Sequence, residues 1–70
     1  MLSIYKQDEV TRKLSEKYQK SYSEIWDEIT ELLTDYAHVI EEKAESDGIP
    51  LEKLELSVIH DHFKRIYGNK

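Results

Sequence analysis

Residues 22–46 read YSEIWDEITELLTDYAHVIEEKAES, and the spacing of their apolar side chains decides the fold. Tyr22, Trp26, Ile29, Leu33, Tyr36 and Ile40 recur at intervals of four and three, with Lys43 in the next place. That period sets side chains on one face of an α-helix. Ile25, Leu32 and Val39 lie beside this seam and widen it to about three of every seven positions, the width of a bundle core rather than of a bare two-stranded coiled coil. A single rod over 22–46 is therefore expected. Ser21-Tyr22-Ser23-Glu24 marks its start as a capping box, in which Ser21 accepts from the amide of Glu24 and Glu24 reaches back to the amide of Ser21. Asp47-Gly48 marks its end, because glycine tolerates the left-handed conformation that closes a helix. About 25 residues at about 1.5 Å each reach about 37 Å. Neither neighbouring segment covers that length, so one end of the rod is expected to project or to meet another subunit.

On the N-terminal side, Val10, Leu14 and Tyr18, with Ile4 and Tyr5 at their head, predict a helix over 4–19 with a thin apolar stripe. Only Gln19, Lys20 and Ser21 separate it from the central rod. None of the three breaks a helix, so the capping box is the signal for a break. On the C-terminal side Pro50 suits a first helical turn, where its missing amide proton costs nothing. Leu51, Leu54, Val58, Ile59, Phe63, Ile66 and Tyr67 carry a stripe over 50–67, with Leu56 off it and Gly68-Asn69 at its end. A connector as short as Asp47–Pro50 makes its two helices antiparallel neighbours. Residues 1–70 are thus expected to form one all-α domain, a small three-helix bundle made of an N-terminal helix and an antiparallel hairpin and completed by self-association.

A 70-residue chain hides only about 60% of its unfolded surface, so its core is marginal and such chains lean on staples. With no cysteine, disulfides and thiolate metal sites are excluded. No apolar run approaches the about 20 residues that cross a bilayer, and Met1–Lys6 lacks a basic patch followed by an apolar stretch. A cytoplasmic location is expected. The net charge of −5 is unevenly spread. Residues 1–22 carry five basic and three acidic side chains, residues 23–48 carry nine acidic and Lys43 alone, and residues 49–70 carry four basic and three acidic. So acidic a centre repels phosphate and invites basic neighbours.

Catalytic signatures are missing. There is no G-x-S-x-G, no glycine-rich phosphate loop and no cysteine nucleophile, and there are only two glycines. Carboxylate pairs such as Glu24/Glu28, Asp27/Glu31 and Glu41/Glu45 read as a solvated face, because a chain of this length has little volume for the desolvated cleft that acid–base chemistry needs. His60, Asp61 and His62, with His38, suggest a metal, but residues two apart on a helix point to opposite sides. One of the pair is expected near Phe63 and the other in solvent. No enzyme activity, metal or cofactor is expected.

Tyr and Trp anchor interfaces disproportionately, so Tyr18, Tyr22, Trp26 and Tyr36, with Leu33 and Ile40 of the seam, form the candidate interface. Glu24, Asp27, Glu28 and Glu31 form a candidate acidic face for basic partners. Residues 14–29, LSEKYQKSYSEIWDEI, resemble the helix-turn-helix pattern of DNA-binding regulators, with Ser21 capping the second helix and Ile25 and Ile29 at its apolar positions. The resemblance implies that the second helix approaches DNA. Gln19 stands where such turns often carry glycine, and Glu24, Asp27 and Glu28 stand where base readout wants donors. The expected function is protein–protein interaction by a small cytosolic regulator, adaptor or inhibitor of bacterial or phage type, self-associating and with an acidic central helix. The alternatives are a helix-turn-helix DNA-binding transcriptional regulator and a structural subunit of a larger assembly.

Overall fold

A computed structural model describes residues 2–68. Four helices follow one another along the chain: α1 (Ile4–Tyr18), α2 (Tyr22–Asp35), α3 (Ala37–Asp47) and α4 (Leu51–Tyr67). No strand occurs among the described residues. The all-α bundle expected from the periodicity is present, with four helices in place of three.

Each helix end has a local cause. Ser3 Oγ accepts from the Lys6 amide at 3.2 Å and opens α1, whose buried side chains are Val10, Thr11 and Leu14. The buried Thr11 hydroxyl is satisfied by donating to the Gln7 carbonyl at 2.6 Å. Ile4 and Tyr5, expected at the head of this stripe, are exposed, and Leu2 ahead of the cap joins the core instead. Gln19 ends α1 in the left-handed region, at φ 55° and ψ 49°. Helices α1 and α2 are therefore separate. Ser21 Oγ accepts from the Glu24 amide at 3.2 Å, while Glu24 Oε1 accepts from the Ser21 hydroxyl at 3.1 Å rather than from the Ser21 amide.

The single rod over 22–46 is corrected by a joint at Tyr36, whose φ −108° and ψ 11° leave the helical basin. Thr34, Asp35 and Tyr36 are all weak helix formers, so straightness there has little local support. Packing supplies the reason for the joint. In α2 the buried row runs Ile25, Ile29, Leu32 and Leu33, and a straight continuation would centre on Tyr36 and then Lys43. Beyond the joint the buried residues are Ile40 and Ala44. Turning the rod at Tyr36 thus replaces a buried lysine by a buried alanine.

Helix α3 closes at Gly48, at φ 67°, where the Gly48 amide reaches the Glu45 carbonyl and the Ile49 amide the Ala44 carbonyl at 2.9 Å, the paired bonds of a Schellman cap. Pro50 caps α4 from outside, one residue earlier than its expected place inside the first turn. The molecule is two helical hairpins: α1 packs along α2, α4 packs along α3, and α2 meets both α3 and α4. Ile25, Ile29, Ile59 and Phe63 are wholly buried at their junction. The overhang expected of a straight rod does not arise, since α1 and α4 shelter α2 and α4 shelters α3.

Candidate interaction surface

The acidic face is built by α2. At about 100° per residue, Glu24, Asp27, Glu28, Glu31 and Asp35 fall within an arc of about 100°, to one side of the buried row. All but Glu28 are exposed. Helix α2 carries no lysine or arginine, and α1, basic as it is, does not neutralise this arc. Among the described residues Arg12 pairs with Asp8 of its own helix at 3.2 Å, and α1 meets α2 through Gln7 Nε2 to Thr30 Oγ1 at 2.9 Å and Tyr22 Oη to Asp8 at 2.6 Å. Donating to the Asp8 carboxylate, and the proximity of that charge, raise the pKa of Tyr22.

On the other flank α2 faces α4. His62 Nε2 lies 3.4 Å from Glu28 Oε2, and its ring meets Phe63 edge-on at 5.4 Å, while His60 is exposed. The two histidines point apart as their spacing requires. Among the described residues no three His, Cys, Asp or Glu side chains converge as a metal site. Beside the His62–Glu28 contact, Leu32, Tyr36, Val58, His62 and Arg65 line a groove of about 320 Å³, at the small end of ligand clefts. At its lip Tyr36 is 53% exposed; Val39, one turn along α3, and Ile66, one turn past His62 on α4, are also exposed, at 60% and 44%.

The six interface candidates separate. Leu33 and Ile40 are buried in the chain's own core and present nothing to a partner. Tyr18 packs on Tyr67 with ring centroids 5.7 Å apart, while Tyr22 stacks on half-buried Trp26 at 5.9 Å. The break at Gln19 separates these two pairs, so Tyr18, Tyr22 and Trp26 do not form one continuous strip. Burial, then the charges of Glu28 and Glu24, raise the pKa of Tyr67, which also carries Lys20 Nζ at 5.1 Å over its ring. Tyr36 alone of the six stands more than half exposed.

Arg65 and Glu55 went unread in the sequence. Arg65 gives the groove its permanent cation, but nothing local shows which face of α4 meets α2. Glu55 is only 5% exposed, and its Oε1 has no hydrogen-bond partner among the described residues. Burial, then the nearby Glu52 and Glu41 carboxylates, raise its pKa. The signal was present: Glu55 lies one turn from both Leu51 and Ile59 on the apolar row. No protein-family model, curated protein or solved structure matches this chain.

Proposed function

We propose that this chain is a small cytosolic protein–protein interaction module, acting as a regulator, adaptor or inhibitor without catalysis. One observation carries the reading: among the described residues the acidic arc of α2 has no ion pair with the chain's own basic helix, and the same helix supplies Leu32 and the exposed Tyr36 to a groove. Carboxylates without a lysine or arginine partner among the described residues, beside exposed aromatic and aliphatic side chains, make an attractive rim around an anchor site. No described helix is long and apolar enough to cross a membrane. Affinity capture of the tagged chain from its native lysate tests the reading. A protein partner retained after nuclease treatment and released at about 1 M salt, where screening is nearly complete, is the expected result. Loss of all partners on nuclease treatment contradicts it. Self-association through the same lip is the competing use of this surface, and solution mass separates the two.

A second reading draws support from the turn at Gln19, which takes the left-handed conformation at the place where the helix-turn-helix resemblance often has glycine. Helix α2 would then be the reading helix, yet Ser23, Glu24, Asp27, Glu31 and Asp35 on its exposed side present no cation to phosphate. A gel shift against mixed genomic fragments at low salt distinguishes the readings. The interaction module leaves the DNA unshifted, and a retarded band favours the regulator.

A further inference from the structure

We infer that the α2–α4 groove receives a basic amphipathic helix of a partner protein. The inference rests on the interaction-module reading and names its site and the chemistry of its partner. The groove offers apolar side chains from both walls, Leu32 and Tyr36 from α2 and Val58 from α4, in a space suited to one or two inserted side chains. Tyr36 extends that surface into solvent.

Charge decides the occupant. Along the α2 wall, Glu24, Glu28, Glu31 and Asp35 recur at intervals of four, three and four, a row about 16 Å long on the helix. Opposite stand Arg65 and His62, and His62 already faces Glu28 at 3.4 Å. A second copy would bring the same carboxylate row and a further net charge of −5 against this wall. An incoming helix with lysines or arginines on one face matches the exposed carboxylates Glu24, Glu31 and Asp35, and its apolar stripe fills the groove at the same period. The carboxylates lie flush along a helix, so an extended peptide, with its period of two, would leave them out of register.

The probe is a synthetic 18-residue helix with leucine on one face and lysine on the other, alongside a matched peptide with glutamate in place of lysine. Binding is read at about 0.15 M salt by fluorescence anisotropy and by amide chemical shifts. The lysine peptide is expected to bind and to shift the amides around Leu32, Tyr36, Val58 and Arg65, while the glutamate peptide does not bind. Glu31→Lys with Asp35→Lys is expected to weaken binding at least tenfold, and Tyr36→Ala several-fold. Glu41→Lys with Glu42→Lys, the same charge change at exposed positions on α3, is expected to weaken it less than twofold. Circular dichroism verifies that each variant keeps its helix content. Equal losses for the two reversals, equal binding of the glutamate peptide, or groove shifts that track protein concentration without any peptide each overturn the inference. If lysate capture of a protein partner survives the Glu31 and Asp35 reversal, the groove is wrong and the module reading stands. If capture fails for the unmodified chain as well, the module reading falls.

Discussion

At Gln19 a side chain with no intrinsic liking for the left-handed region occupies it, because the chain must turn sharply between α1 and α2. Glycine at this position loses the clash of Cβ with the carbonyl but gains freedom in the unfolded chain. The first effect is the larger, so Gln19→Gly is expected to stabilise the fold by about 1 kcal/mol, a rise of about 4–8 °C in melting temperature by calorimetry. Glu55 makes the opposite demand, for a proton. Its folded pKa is raised above its ordinary 4.5, so the folded chain holds that proton more tightly than the unfolded chain does. This contribution to stability is complete below the unfolded value, and it is lost as pH rises through the raised folded value. Denaturant titrations across that window should show stability falling with pH in the unmodified chain, and Glu55→Gln should flatten that part of the profile. A profile unchanged by the substitution would assign the pH dependence elsewhere.

Among the elements, the α2–α3 joint decides most. Periodicity places Trp26, Ile29, Leu33, Tyr36, Ile40, Leu54, Val58, Ile59 and Phe63 in the core; six of the nine are buried, Trp26 and Val58 are half-buried, and Tyr36 is exposed. It also placed Tyr36 in the seam with Lys43 next in line, and there it failed, because a stripe read along one sequence assumes one straight axis. The phase of a helix beyond a bend is fixed by whatever packs on it, here α4, which is information from a distant part of the chain. Similarly, the acidic face of α2 is legible in Glu24, Asp27, Glu28 and Glu31, whereas the place of Arg65 in the groove is not. Its position depends on how two elements dock. The joint has a measurable signature. The backbone bonds on either side of it run from the Tyr36 amide to the Leu32 carbonyl and from the Ile40 amide to the Tyr36 carbonyl. The intervening amides of Ala37, His38 and Val39 lie in the interrupted turn, so within 22–47 they are expected to exchange with solvent deuterium fastest by NMR, apart from the first turn of α2. Protection there equal to that of Ile29 would mean an unbroken helix.

For the whole molecule, bending exchanges one kind of surface for another. A straight central rod would need a second subunit to cover its far end, whereas two hairpins let a 70-residue chain enclose Ile25, Ile29, Ile59 and Phe63 by itself. What stays outside includes the exposed Tyr36, Val39 and Ile66 and the carboxylates of α2, the features that the proposed basic partner would use. The account therefore turns on whether residues 22–47 are bent. The chain has no cysteine, so Ser23→Cys and Ser46→Cys, both at exposed positions, place a spin-label pair without interference. Pulsed dipolar spectroscopy on this doubly labelled chain is the most direct test. A mean separation clearly shorter than the about 35 Å of a straight helix over that span is the predicted result, and a separation at or beyond that length would contradict it.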